Sequence, residues 1–256
     1  MLSGSGRDSP VHSLVDLALT LHEQTNVERT ATATIAALPS LMAGAVGSIV
    51  LSHRHRPVPL SAGCAALERA DRRQVELNEG PAVSILRGDS AVLAPDLARD
   101  SPWPRWGRDA AAEGWRSWLS LQLLSRNGNT LGVLSVASPR PEAFDRDATW
   151  LAGLVATHAA VALDAARIRD NLQVAGDAQA RIGHALGILM ERYGMDDEQA
   201  FSVLRRYSQD SGRKLRDIAA DLVQTRQFPE PTSAHRSGWA SFETGSGGTG
   251  MGTATP

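Results

Sequence analysis

Apolar side chains recur at intervals of three and four residues between residues 181 and 226, which is the spacing of amphipathic helices. Gly194 interrupts the pattern as a C-cap glycine, and Asp196 with Gln199 restarts it as a capping box. The apolar positions of the three resulting stretches are Ile182, Leu186, Leu189, Met190, Tyr193, then Ala200, Phe201, Leu204, then Leu215, Ile218, Ala219, Leu222 and Val223. The pattern predicts a small all-α bundle of three short helices.

The preceding part of the chain combines helical periodicity with short apolar runs. Helices are predicted from Ser13, from Val27 to about Leu41 with a break near Pro39, and over 65–88 with a restart at Gly80. Strands are predicted at 45–53, 59–64, 91–94, 117–124 and 131–137. Asn127-Gly128 is a strong hairpin signal between the last two strands. This order predicts an α+β fold built on an antiparallel sheet with flanking helices, rather than a doubly wound fold.

The longest predicted helix runs from Asp145 to about Asp170, and beyond it the apolar stripe thins and Gly176 offers a break. A helix that leaves one domain and continues towards a bundle commonly pairs with its copy in a second subunit. We therefore expect a homodimer joined along this helix.

Composition sets loose bounds on the class of protein. The 256 residues and 42% hydrophobic content suffice for two domains, and the formal charge of −2 gives no global attraction to nucleic acid. The single cysteine, Cys64, fits a reducing compartment. The first dozen residues lack the apolar run of a signal peptide, and no run of about eighteen consecutive apolar residues is present. We expect a soluble, cytoplasmic protein without membrane contact.

The amino-acid sequence of the three-helix segment resembles that of the ANTAR family. The resemblance rests on the runs Ala185–Arg192, Glu198–Phe201, Ser208-Gln209 and Lys214–Ala219. Two positions depart from the family pattern: His184 stands where Gln is more usual, and Gly212 stands where Asn is frequent and would serve as a helix N-cap. Modules of this family bind RNA and act as transcription antiterminators. The resemblance therefore implies an RNA stem-loop in a nascent transcript as the partner.

The α+β part resembles a GAF domain, a small-molecule sensing fold often coupled to ANTAR modules. The supporting features are Gln74–Pro81 before a helix, the strand at Leu131–Leu134 after a turn, and Phe144 opening the final helix. The predicted organisation is a disordered N-terminus at 1–12, a GAF-like sensor domain at 13–168, a linker helix and ANTAR RNA-binding domain at 169–227, and a disordered tail at 228–256. The whole chain is thus predicted to be a signal-responsive antitermination regulator.

Basic residues are concentrated in one part of the ANTAR-like segment. Residues 177–226 hold eight basic and eight acidic residues, but five of the basic ones lie between 205 and 217, with only Asp210 and Asp217 among them. RNA loops are usually read by stacking bases on planar groups and by contacts to base edges, and helix N-termini favour phosphate. The predicted RNA-binding residues are Arg181, His184, Arg192, Arg205, Ser208, Gln209, Arg213, Lys214 and Arg216.

A second interpretation of this segment is a helix-turn-helix module that binds DNA, because two of its three helices would look similar in sequence. A simpler interpretation of Arg213, Lys214 and Arg216 is a solvated helix face. The small and apolar positions, Gly187 and Phe201 among them, are predicted to let the helices approach, so that changing them would unfold the module.

Tryptophans are the most plausible ligand-related group in the sensor-like half. Trp103, Trp106, Trp115 and Trp118 would line a pocket for a flat or apolar ligand, although filling the core is the simpler interpretation. His53 and His55 form a weak metal-binding pattern without further ligands. No cofactor is indicated. The sequence has no glycine-rich phosphate loop, no G-x-S-x-G elbow and no carboxylate pair tied to a metal motif, and we expect no enzymatic activity.

Overall fold

The computed structural model describes residues 10–227. These residues form two compact units that divide between Asn171 and Leu172. Of the segments predicted to be disordered, residues 1–9 and 228–256 lie outside the described part, and the first helix begins at Pro10.

The first unit has an α+β fold, as predicted. Its elements in chain order are α1 (Pro10–Glu23), α2 (Val27–Leu41), β1 (Val46–His53), β2 (Arg56–Ala62), α3 (Ala65–Leu77), α4 (Pro81–Arg87), β3 (Ala91–Ala94), α5 (Pro104–Ala112), β4 (Ser117–Leu124), β5 (Thr130–Ser138) and the start of α6 (Arg146–Tyr193). The five strands form one antiparallel sheet in the order β2-β1-β5-β4-β3.

Helices cover both faces of this sheet, and the central strand β5 shows how its side chains are divided. Leu134 and Val136 pack with α1, α2 and α6 on one face, whereas Val133 and Ala137 point to the face covered by α3, α4 and α5. Alternate residues of a strand point to opposite faces, and a strand covered on both sides is therefore apolar throughout.

Two hairpins connect neighbouring strands. The predicted Asn127-Gly128 hairpin is confirmed: Gly128 has a φ of +75° and its amide donates to the Ser125 carbonyl oxygen at 3.0 Å. The hairpin between β1 and β2 is tighter than predicted, because β2 starts at Arg56. Its turn places His55 at a φ of +61° and leaves it exposed, so His53 and His55 do not share one strand face. Among residues 10–227 no group of three metal-binding side chains comes together.

The sequence predicted two helix breaks that the structure does not contain. Pro39 lies in the last turn of α2, which continues to Leu41. α6 runs without interruption through Gly176 for 48 residues, so the predicted linker helix and the first helix of the predicted bundle are one element. By length and composition alone, α6 could cross a membrane, and 39% of its most apolar stretch is buried inside the protein. The core helix of a soluble protein gives the same signal.

The second unit is all-α. It consists of the C-terminal part of α6, then α7 (Asp197–Ser211) and α8 (Leu215–Thr225). Its core residues are Ala185, Leu189, Ala200, Leu204, Tyr207, Ile218, Ala219 and Leu222. All eight either belong to the predicted apolar stripes or lie next to a stripe residue on the same helix.

Candidate functional site

The start of α7 is fixed by its own side chains. Asp196 Oδ1 accepts from the Gln199 amide at 2.8 Å, and Gln199 Oε1 accepts from the Asp196 amide at 3.2 Å. This confirms the predicted capping box, which satisfies backbone amides that the helix itself cannot pair. α6 ends just before Gly194, whose φ of +65° suits a glycine.

The turn between α7 and α8 carries the densest group of predicted RNA-binding residues. Gly212, with a φ of +65°, is the C-cap of α7, and Lys214 is the N-cap of α8. The prediction that Gly212 would serve as an N-cap was therefore wrong. The Ser208 hydroxyl donates to the Arg213 carbonyl oxygen at 2.6 Å, which ties α7 to the turn. The Lys214 side chain does not cap α8, so the first amides of that helix remain available to an anion.

The charges around this turn are only partly neutralised. Arg213 pairs with Asp221, and this hydrogen bond raises the pKa of Arg213 above its usual value. Arg216 Nε lies 3.5 Å from an oxygen of Asp217. Arg205, Gln209 and Lys214 are exposed, and no acidic side chain in the described part of the chain lies within ion-pairing distance of Arg205 or Lys214. An anionic backbone could approach these groups without displacing a partner.

Other predicted RNA-binding residues lie away from this turn. Arg192 Nη1 donates to the carbonyl oxygen of Arg226, the C-cap of α8, at 2.7 Å. The length of α8 separates that end from Lys214 by about 18 Å, from the rise per residue of an α-helix. Arg181 and His184 are exposed on α6, three residues apart and thus on neighbouring positions of one face. Ser208, Gln209, Arg213, Lys214 and Arg216 therefore lie at or next to the turn, Arg205 lies one helical turn before Gln209 on α7, and Arg192 lies near the other end of α8.

Three residues of the predicted apolar stripes are exposed. The exposed fractions are 37% for Met190, 44% for Tyr193 and 40% for Phe201. The Arg192 guanidinium lies over the Tyr193 ring, 5.7 Å from its centroid. Gly187 is also exposed, and a Cβ added there would meet no atom within 4 Å. The prediction that Gly187 lets helices approach was wrong, because no other helix is packed against it.

The four tryptophans of the predicted ligand site form one cluster on the α3 and α5 side of the sheet. Each is at most 6% exposed. Trp106 contacts Trp103 and Trp118 edge to face, with centroid distances of 5.5 and 4.9 Å, and Trp115 lies 6.4 Å from Trp118. These rings fill the core here, so a ligand at this place would have to displace an indole. Their role in binding a ligand stays a prediction.

Hydrogen bonds of the indoles also hold the helices on this side of the sheet. Trp106 Nε1 donates to the Ala70 carbonyl oxygen of α3 at 2.9 Å, and Trp103 Nε1 donates to the Ser84 hydroxyl of α4 at 3.0 Å. Trp115 Nε1 is buried and has no acceptor among residues 10–227. The cluster therefore joins α3, α4 and α5 to the sheet.

A buried polar group next to this cluster was not predicted from the sequence. Asp71 is 1% exposed, and its Oδ1 accepts from Gln74 Nε2 at 3.0 Å. Gln74 Oε1 in turn accepts from the Ala82 amide at 2.7 Å, which connects α3 to α4. Burial raises the pKa of the Asp71 carboxyl to about 7, although the nearby Ser48 hydroxyl and Gln74 amide lower it.

Glu79 has a similar connecting role at the start of α5. Its Oε1 accepts from the backbone amides of Arg105 and Trp106 at 2.7 and 3.0 Å, and its Oε2 accepts from Arg105 Nε at 3.0 Å. Desolvation alone would raise the pKa of Glu79, but these hydrogen bonds lower it below the ordinary value. A negative charge is thus held at the N-terminus of α5, where the helix dipole favours it.

The fold and these sites define a protein in which an α+β domain is joined by a continuous helix to an all-α module. The chain belongs to the GAF family, whose domain model matches residues 24–164, and the ANTAR domain model matches residues 170–223. A GAF domain is thus followed by an ANTAR domain. Together they make the chain a sensor-regulated antitermination regulator, and both are typically soluble domains.

Solved structures with a similar fold have low sequence identity. They include a GAF domain of an Acinetobacter phosphoenolpyruvate-protein phosphotransferase, with 14% identity, 63% of this chain and 97% of that chain covered, and a TM-score of 0.49. The photosensory core module of Stigmatella aurantiaca phytochrome has 12% identity and a TM-score of 0.53, and the match covers 83% of this chain and 46% of that chain. The N-acylhomoserine lactone dependent transcription factor CepR2 of Burkholderia cenocepacia has 17% identity and a TM-score of 0.51, and the match covers 62% of this chain and 98% of that chain. No curated protein matches the sequence significantly.

Proposed function

We propose that the ANTAR domain binds stem-loop RNA in nascent transcripts and that the GAF domain controls this binding in response to a signal. The observation that carries the proposal is the α7–α8 turn, where Gln209 and Lys214 are exposed near the uncapped start of α8 and Arg205 is exposed one helical turn before Gln209. Phosphate is attracted both by the cationic side chains and by free backbone amides. The planar groups of Arg205, Gln209 and Arg216 suit unpaired bases of a loop.

The charge balance of the module supports selective rather than general binding of RNA. Its eight basic residues are offset by eight acidic ones, so that a single module has little long-range attraction for phosphate. A local group of contacts gives modest affinity. Two modules held together would bind two loops of one transcript much more tightly, because the second contact forms at a high effective concentration.

A homodimer through α6 is part of this proposal. Val161, Ala165, Ile168 and Leu172 follow one another at spacings of four, three and four residues, which is the repeat of a coiled-coil seam. Val161, Ile168 and Leu172 are 50, 52 and 67% exposed in the single chain. Pairing with a second α6 would bury these side chains.

We also propose that the protein acts in the cytoplasm as a binding regulator without enzymatic activity. RNA polymerase and nascent transcripts are found in that compartment, and the proposal assigns no chemical step to the chain. The control of RNA binding would come from small-molecule sensing by the GAF domain.

The test of RNA binding uses the full chain and three labelled probes at matched salt: a hairpin with one loop, a hairpin pair with two loops, and duplex DNA. Fluorescence anisotropy should show the order two loops, one loop, DNA in decreasing affinity. Lys214→Ala should weaken hairpin binding several-fold and lower the salt dependence by about one phosphate contact. Arg72→Ala, an exposed change in the first unit, is the matched control. A preference for duplex DNA would instead support the helix-turn-helix interpretation.

A further inference from the structure

A cavity of about 410 Å³ lies on the α2 and α6 side of the sheet, on the opposite face from the tryptophan cluster. Its wall is apolar and includes Leu41, Met42, Phe144 and Leu151, all of them buried. The volume is in the range of pockets that take small organic molecules. The cavity belongs wholly to the first unit.

Two side chains of α6 stand at the rim of this cavity and differ from its wall. Trp150 lines the cavity yet is 67% exposed, which makes it one of the two most exposed large apolar residues in the described part of the chain. Asp147 also lines the cavity and is exposed. The two are three residues apart on one helix, and residues at that spacing are neighbours on its surface.

The charge of Asp147 has no counterpart in the structure. Among residues 10–227, no basic side chain lies within ion-pairing distance of its carboxylate, and its side chain makes no hydrogen bond there. The guanidinium of Arg140 lies at the edge of this cavity, since its Nη2 donates to the carbonyl oxygen of the lining residue Ala43 at 3.2 Å, but it makes no ion pair with Asp147. An aromatic face beside an unpaired carboxylate is the arrangement that recognises organic cations, through a cation–π contact and an ion pair.

We propose that this cavity is a ligand site for a small organic cation with an apolar body, such as an alkyl or aryl ammonium compound. The apolar body occupies the cavity between α2 and α6, while the ammonium group lies against the Trp150 ring and the Asp147 carboxylate. This inference rests on the proposed sensing role of the GAF domain and names a chemical class for its ligand. It does not involve the RNA-binding residues.

Isothermal titration calorimetry on the full chain tests the site with two probes of equal shape. One is 4-phenylbutyl-trimethylammonium, and the other is the neutral compound in which a tert-butyl group replaces the trimethylammonium group. The cation should bind on the order of tenfold more tightly, which is the combined effect expected of an exposed cation–π contact and an exposed ion pair. Equal binding of the two compounds, or binding of neither, would overturn the proposal.

Three variants assign the preference to the named residues. Asp147→Asn and Trp150→Ala should each reduce the ratio of the two affinities several-fold, whereas Trp150→Phe should keep part of it. Asp89→Asn is the control, since Asp89 is an exposed carboxylate on the turn after α4. An unchanged ratio in Asp147→Asn would show that the site does not read charge, and the proposal would be wrong. RNA affinity of the same samples is measured separately, so a failed ligand site is distinguished from a failed RNA site.

Discussion

Asp71 is a carboxyl group that folding moves from water into the interior of the protein. It is buried in the sensor domain and linked through Gln74 to the backbone of α4. A buried carboxyl keeps its proton to a higher pH than an exposed one, because burial penalises the charged form. Its pKa of about 7 in the folded protein therefore lies well above the value near 3.8 of a free side chain.

This difference predicts a specific dependence of stability on pH. Between about pH 4 and pH 7 the folded protein holds a proton that the unfolded chain releases, so the free energy of unfolding falls as the pH rises and levels off above pH 7. Asp71→Asn cannot titrate at this position. Between pH 5 and pH 8, the free energy of unfolding of the wild type should therefore fall by roughly 2–3 kcal/mol more than that of the variant. Urea unfolding at the two pH values measures this, with Asp89→Asn, a change of an exposed carboxyl, as the matched control.

Two glycines predict opposite responses to alanine. At Gly187, on the exposed side of α6, alanine should raise the free energy of unfolding by about 0.5–1 kcal/mol, because it restricts the unfolded chain and meets no neighbour. At Gly132, a Cβ would lie 2.3 Å from the Val50 carbonyl oxygen of the neighbouring strand. Gly132→Ala should therefore destabilise the sensor domain by several times that amount. Chemical denaturation of the two variants gives both values, and a folded but weakened Gly187→Ala would contradict the first.

At the scale of elements, alternation and turn residues located most strands of the sheet. β3 and β4 have the predicted bounds, and β5 differs by one residue at each end. The sequence did not predict that α6 is continuous through Gly176. One glycine destabilises a helix by only about 1 kcal/mol, and the packing of the helical segments on both sides of it is enough to offset that cost. An apolar stripe also does not show how much of it the neighbouring helices cover. Met190 and Phe201 belong to predicted stripes and are nevertheless exposed.

The side-chain hydrogen bonds that connect the helices around the candidate sites could not be predicted from the sequence, for a different reason. Glu79 accepts from Trp106, which is 27 positions away, and the Gln74 side chain bonds the start of another helix. Such contacts depend on the packing of α3, α4 and α5, which no local pattern specifies. The sequence therefore pointed to the turn proposed to bind RNA, where the residues are neighbours in the chain, but not to the polar contacts within the sensor core.

At the scale of the whole molecule, pairing through α6 predicts a dimer at micromolar concentration. Ile168→Glu places a charge in the proposed seam and should give a monomer, because the charge would be buried against its own copy. Arg167→Glu, which changes an exposed neighbour on the same helix, should remain dimeric. Sedimentation equilibrium distinguishes the two, and a wild-type monomer under these conditions would contradict the pairing. Monomeric Ile168→Glu should also lose the preference for two RNA loops.

The tryptophan cluster has an optical consequence. Trp103, Trp106, Trp115 and Trp118 all lie in the first unit, and residues 172–227 contain no tryptophan. Indoles packed edge to face at 4.9–6.4 Å give strong near-ultraviolet circular dichroism while their geometry lasts. On heating, that signal should report mainly the sensor domain, whereas the far-ultraviolet helix signal reports both domains. A lower midpoint in the near ultraviolet than in the far ultraviolet would show that the GAF domain can melt while the ANTAR domain stays folded.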